Sequence, residues 1–210
     1  MKWKKAISLV CMALFLLAVT ACGGQQAGQN GGGKAAGTAA AEKAPAKAKK
    51  VLVVYYTNTH RTEQVAKAIA GETGGDLYPL DLEKTYTPAD LDYNNKSARV
   101  YKEHDDPSLR NVALKNAKPV NWKEYDTVFI GYPIWWGIAA WPLDTFVKSN
   151  DFTGKTVIPF STSYSSGMGS SADHLKQLAG GKGNWLQGRG FTGNLQDSQV
   201  KDWVKSLGVK

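Results

Sequence analysis

Six consecutive apolar or aromatic residues, Val51-Leu52-Val53-Val54-Tyr55-Tyr56, constrain this chain more than any other segment. A strand with one face in water alternates apolar and polar side chains, and this run does not alternate. It therefore reads as a strand covered on both faces, the condition of a parallel sheet with helices on either side. The chain beyond it keeps to that plan. Residues 62 to 72 carry Val65, Ala68 and Ile69 at helical spacing and end at Gly71 or at the Gly74-Gly75 pair. Residues 76 to 81 read as a second strand, and Asp126 to Tyr132 holds a third, Thr127 to Gly131, that stops on Gly before Pro133 breaks the ladder. The segment Trp141 to Ser149 predicts a helix, with Pro142 tolerated in its first turn and Leu143, Phe146 and Val147 on one face. Residues 155 to 161 predict a fourth strand, 171 to 181 a helix, and 185 to 191 a short strand. Val200, Trp203, Val204 and Leu207 then fall at i, i+3, i+4 and i+7 of a last helix, with Gly208 as its stop. Residues 83 to 118 are polar and weakly patterned, and predict one or two helices in a long crossover. Strands alternating with helices predict an α/β fold with a doubly wound, five-stranded parallel sheet. In such sheets ligands bind beyond the carboxyl ends of the strands, at the topological switch point.

The first 50 residues obey different rules. Lys2, Lys4 and Lys5 precede a short apolar run, and Val19-Thr20-Ala21-Cys22 follows it, which describes a secretory signal. Its end resembles the bacterial lipobox, which implies removal of residues 1 to 21 and lipid on Cys22. The alternative is an ordinary signal peptide with an incidental Cys. Residues 23 to 50 are Gly, Ala, Lys and Gln with no large apolar side chain, so they read as a flexible linker spanning roughly 30 Å. Residues 51 to 210 then form one domain. Cys11 lies in the leader and Cys22 is the lipidation candidate, so the domain carries no thiol for nucleophilic catalysis, metal binding or a disulfide. The net charge of +8 also belongs to the leader and linker, because residues 51 to 210 hold 18 basic and 17 acidic side chains. That balance argues against nucleic acid as a partner, and the Lys-rich linker suits an anionic membrane surface.

Three strand-end loops hold the unusual chemistry. The first is Thr57-Asn58-Thr59-His60-Arg61-Thr62, where hydroxyls, free backbone N–H groups at a helix start and one guanidinium suit a phosphate. Helix capping by Thr59 or Thr62 is the plainer account of part of it. The second is Pro133-Ile134-Trp135-Trp136-Gly137, whose Trp pair either caps the core or forms a wall on which a flat aromatic ligand stacks. The third, Ser161 to Gly169, is dense in small donors. Together they suggest a phosphate clamp, a stacking wall and a hydrogen-bonding rim for a planar heterocycle, the shape of a mononucleotide site.

On these residues the chain resembles the flavodoxin-like family, and most closely its small members with a PIWWG loop. VLVVYYTNTHRT stands where the family has an apolar strand followed by S-x-T-G-N-T, and GYPIWWG and FSTSYSSGMG look like its second and third flavin loops. The resemblance implies strand order 2-1-3-4-5 and bound FMN. It further implies cofactor contacts from Thr57, Asn58, Thr59, His60, Arg61 and Thr62 at the phosphate and from Pro133, Ile134, Trp135, Trp136 and Gly137 at the isoalloxazine. Thr162, Ser163, Tyr164, Ser166 and Gly167 would meet the polar edge of the flavin. His60 replaces the Gly of the family loop and Arg61 its Asn; His tolerates positive φ better than most residues, and Arg61 either neutralises phosphate charge or points to solvent.

In that reading the flavin carries the redox chemistry, and the protein supplies orientation and electrostatics. No general base is needed, so His60 reads as a loop residue, His104 as a surface residue and His174 as a solvated helix residue. The leader implies a membrane-anchored bacterial lipoprotein outside the cytoplasm, exchanging electrons with a membrane redox protein or a quinone. The alternative function is a flavin-free lipoprotein that keeps the fold as a binding or interaction module. A hydrolase lacks an evident Ser-His-Asp arrangement in the sequence.

Overall fold

The computed structural model describes residues 49–209. The signal segment, Cys22 and the linker up to residue 48 lie outside the described residues.

The apolar run forms β1 (Val51–Tyr55), with β2 (Asp76–Pro79) on one side and β3 (Thr127–Trp135) on the other, both parallel to it. β5 (Thr156–Thr162) extends the sheet beyond β3, again in parallel. Its outer edge is shared by two short parallel strands, β6 (Asn184–Trp185) and β7 (Arg189–Phe191). A two-residue strand, β4 (Ile138–Ala139), pairs only with the end of β3 and runs antiparallel to it. The order is thus β2-β1-β3-β5-β6; with the hairpin strand β4 set aside, this is the doubly wound 2-1-3-4-5 arrangement, its fifth strand split in two.

β1 shows why the sheet needs helices on both faces. Val51, Val53 and Tyr55 pack with α1 (Arg61–Thr73) and α5 (Asp197–Ser206), through Val65, Ile69, Val200 and Trp203. Leu52, Val54 and Tyr56 turn the other way, into a core shared with Leu143, Phe146 and Val147 of α3 (Pro142–Ser149) and Leu175 of α4 (Ser171–Leu178). Each fully buried Leu, Ile or Phe contributes about 1.5–3 kcal/mol. One close approach sets a residue type outright: a Cβ on Gly131 would lie 2.1 Å from Cζ of Phe160, so the neighbouring strand demands Gly there.

α1 ends later than its first Gly suggests. Gly74, at φ 69°, takes the left-handed position and its N–H closes on the Ala70 carbonyl. The 83–118 crossover holds α2 (Arg99–Asp105) and a 3-10 turn at Pro107–Arg110, closed at its base by a bridge between Leu82 and Leu114. The expected end of the third strand is corrected. β3 does not stop at Gly131 but continues to Trp135, because Pro133 sits where its missing N–H is not required while its carbonyl accepts from Ala140 N–H at 3.1 Å.

Candidate functional site

The extension of β3 turns the Trp loop into a hairpin. Trp135 pairs with Ile138, and only Trp136 and Gly137 lie between them. Both have positive φ, 45° and 79°, as a two-residue type I′ connection requires. Gly accepts that conformation freely; a Trp held there stores strain on the order of 1 kcal/mol or more. Packing sustains it. His104 of α2 stacks on the Trp136 indole with centroids 4.5 Å apart and planes at 21°, and Tyr93 and Tyr101 meet it edge-on. Trp135 is half-buried and wedged edge-on among Tyr56, Tyr86 and Trp141, at centroid distances of 5.9, 5.2 and 5.0 Å. The two accounts of the Trp pair are therefore both partly right: Trp135 extends the core, and both rings also line a crevice.

The first loop leaves β1 and enters α1 through His60, which sits at φ 62°, ψ 0°. No side chain caps the helix, so neither Thr59 nor Thr62 serves as the cap. Thr62 is fully buried and its hydroxyl lies 2.8 Å from that of Thr162, joining the first and third loops. His60 is turned out to solvent, with Nδ1 2.6 Å from Glu63 Oε2, while Lys67 reaches Glu63 Oε1 at 2.6 Å. The Lys67 hydrogen bond, then that of His60, holds the Glu63 carboxyl below the usual carboxylate range. Arg61 is only half-exposed: Nη2 donates to the Gly193 carbonyl at 2.6 Å. Three polar atoms of this loop, Thr57 Oγ1, Asn58 Oδ1 and Arg61 Nε, are buried with no partner. A buried polar group left unpaired costs about 1–3 kcal/mol, and three of the six such atoms among the described residues fall within these five positions.

The crevice is about 550 Å³ and opens at the carboxyl ends of β1, β3 and β5. Asn58, Thr59 and Arg61 line one end, Pro133, Ile134, Trp135 and Trp136 the other, and Thr162, Ser163 and Tyr164 the rim. Tyr164 is almost wholly exposed. Asn58 Nδ2 donates to the Tyr56 hydroxyl at 2.8 Å, joining the polar end to the aromatic one. Burial pushes the Tyr56 phenol up to about 12.

Of the remaining sequence candidates, Thr57 carries the unpartnered hydroxyl just described but does not itself line the crevice, and His60 and Thr62 face elsewhere. Gly137, Ser166 and Gly167 do not line the crevice. Ser166 instead accepts from the Ser163 hydroxyl through its carbonyl, and Gly169, at φ 54°, is the glycine that packs against the hairpin, where a Cβ would lie 2.7 Å from the Gly137 carbonyl oxygen. Leu91, Tyr93 and Val100 line the crevice from the crossover, which carries no periodic signal that would mark them.

Two histidine expectations are corrected. His104 is not simply a surface residue, since it covers a face of Trp136. His174 is not a solvated helix residue, since Nε2 lies 3.1 Å from Oδ1 of buried Asp144 and staples α4 to α3. Ser171 stands one turn before His174, but it is fully buried and its hydroxyl donates to the Met168 carbonyl at 2.6 Å, so Ser171 is not presented to a substrate.

Fold and crevice together define a doubly wound parallel α/β protein whose ligand cleft lies at the switch point, polar at one end and aromatic at the other. The Flavodoxin family model matches residues 50–207, and the chain belongs to the flavodoxin family. Among solved structures it is similar to a candidate flavoprotein from Bacteroides eggerthii DSM 20697, with 41% identity over 77% of this chain and 99% of that one and a TM-score of 0.69. A second, from Bacteroides uniformis ATCC 8492, is 40% identical over 76% of this chain and 99% of that one, also at a TM-score of 0.69. A flavoprotein from Lactobacillus acidophilus NCFM, solved in complex with FMN, shares the fold at 24% identity and a TM-score of 0.55, over 74% of this chain and 99% of that one. No curated protein matches.

Proposed function

We propose that this chain binds FMN in the crevice and serves as a redox protein, in electron transfer or flavin-dependent reduction. The observation that carries the reading is the set of unpartnered atoms in the loop at one end of an aromatic-walled cleft: Asn58 Oδ1 and Arg61 Nε belong to residues that line it, and Thr57 Oγ1 lies next to them in the chain. Oxygens of a phosphate monoester would accept from the Thr57 hydroxyl, from Arg61 and from the N–H groups at the start of α1. Asn58 Oδ1 is an acceptor and would take a hydroxyl hydrogen from a polyol chain. A volume of about 550 Å³ falls in the range of small-ligand sites. Membership of the flavodoxin family and the two Bacteroides relatives described as candidate flavoproteins favour the same ligand. Bound FMN would supply one- and two-electron chemistry; the chain would hold the phosphate, orient the ring against the Pro133–Trp136 wall and limit water around it.

The leader supports a location outside the cytoplasm, with lipid on Cys22 as the anchor and a membrane redox protein or a quinone as the electron partner. Replacing Cys22 by Ser should then move the protein from the membrane fraction to the soluble one; retention on the membrane would remove the lipid anchor from the proposal.

The second reading, a flavin-free binding module, draws on two contacts: Arg61 already donates to Gly193, and His104 already covers a face of Trp136. Titration of the purified chain with FMN and then with riboflavin separates the two. Flavin absorption bands that shift on binding, with quenched Trp fluorescence, support the redox reading; no quenching by either ligand supports the module. Equal affinity for FMN and riboflavin removes the phosphate role of residues 57 to 62.

A further inference from the structure

Glu103 of α2 is buried, 4% exposed, and its carboxylate is fully engaged. Oε2 accepts from the Tyr86 hydroxyl at 2.6 Å and from Trp141 Nε1 at 2.8 Å, and Oε1 accepts from Arg99 Nε at 2.7 Å. Each of the two rings also carries a guanidinium on its face. Arg99 lies 3.9 Å from the Tyr86 centroid and Arg110 lies 4.8 Å from that of Trp141. Arg110 in turn donates to the carbonyls of Glu103 and His104, at 2.8 and 2.7 Å, which ties down the end of α2.

Tyr86 and Trp141 are two of the rings against which Trp135 is wedged. The residue after Glu103 is His104, which stacks on Trp136. One short helix therefore sets the support of both hairpin tryptophans.

A buried carboxylate is an expensive way to support a ring if packing is all that is needed, because apolar side chains of similar volume do as well or better. What it adds is direction. Its oxygens fix the Tyr86 hydroxyl and the Trp141 N–H to one point, and so fix the angle of the slot between the rings. Arg99 balances the carboxylate charge, so the pair places no net charge beside the crevice.

We propose that Glu103 is a positioning residue for the flavin wall, acting through Tyr86 and Trp141 to set the orientation of Trp135. The inference rests on the flavin reading for its consequence, though not for its geometry.

The test uses the full chain with Glu103→Gln, Tyr86→Phe and the double variant. Loss of one charge-assisted hydrogen bond should weaken FMN and riboflavin alike, by about ten-fold. Binding of inorganic phosphate, measured by calorimetry, should stay within about two-fold of wild type, on the same scale. The near-UV circular dichroism of the indoles should fall in the ligand-free protein. The two single changes should be non-additive, because they act on one contact.

Flavin affinity within two-fold of wild type with unchanged dichroism overturns the proposal. So does phosphate affinity that falls in step with FMN, the sign of general loosening, and so does strict additivity. If Glu103→Gln does not fold, Tyr86→Phe, which removes a single donor, is judged by the same criteria. If wild type binds neither flavin, the function proposed above fails, and the dichroism of the ligand-free variants alone decides the role of Glu103: a lost signal upholds it and an unchanged one overturns it.

Discussion

In the loop at the polar end of the crevice, Thr57 Oγ1, Asn58 Oδ1 and Arg61 Nε are buried and without a partner, the last two on residues that line it. At the aromatic end, Trp135 rests on three rings and Trp136 on His104 and Trp141. By residue type, the Trp pair is the stronger signal for a ligand. By geometry, the loop is, because its polar groups lack partners while the rings have already found each other. The difference teaches that unused hydrogen-bonding capacity is a sharper mark of a binding site than an aromatic cluster. An unpaired buried polar group costs free energy in the folded protein alone, whereas a packed ring stabilises it, and of the six such atoms among the described residues three fall within positions 57 to 61.

This contrast can be broken at either end. The largest effect is expected from Trp135→Ala, which should lower folding stability by about 3 kcal/mol through lost packing, measured by urea denaturation of the ligand-free chain. A loss below about 1 kcal/mol would mean that the ring serves the ligand rather than the core.

The next expected effect is alkaline. Burial raises the Tyr56 phenol from 10.0 to about 12, so the folded protein keeps this proton after the unfolded chain has lost it. The associated stability is intact below pH 10 and is lost as pH climbs from 10 to 12, by about 2–3 kcal/mol. Tyrosinate absorbance that rises together with unfolding, rather than before it, is the expected signature.

At the polar end the effects should fall on affinity. Arg61→Ala should weaken FMN by about 2 kcal/mol, roughly 30-fold, and leave riboflavin almost unchanged. Parallel losses for both ligands would assign Arg61 to loop structure, through its bond to Gly193, rather than to phosphate. The smallest change is Thr57→Val. It removes a buried hydroxyl that lacks a partner, so stability should hold or rise by up to about 1 kcal/mol while FMN affinity falls about five-fold. A change of the same sign in both would erase the distinction between the two ends.

Much of the architecture is legible in local patterns. The unbroken apolar run at 51–56 implies helices on both sheet faces, and the alternating burial of Leu52, Val53 and Val54 between the two cores bears this out. The Trp203 face of α5 reads directly from its spacing. The site is legible only in part. Loops 57–62 and 132–137 stand out by residue type, but the hairpin geometry of Trp136 does not, since a Trp at φ 45° contradicts its own preference and is held there by contacts from residues more than 30 positions away. The crossover lining, Leu91, Tyr93 and Val100, carries no period because two of the three lie in turns and the third sits on a helix of seven residues, too short to show one. Glu103, His104 and His174 look like solvated charges in a polar stretch, and each turns inward to a partner distant in sequence.

The parallel sheet, its helices and the three strand-end loops can be read along the chain, because they follow from local periodicity and from residue types with restricted backbones or small polar side chains. Tertiary structure alone decided which of those residues face a ligand and which face each other. Thr62 and Thr162 became a buried link between loops, Trp135 a part of the core, and Glu103 the hub beneath it. Orientation of that kind depends on contacts between segments far apart along the chain, whose geometry exists only after the sheet has brought them together.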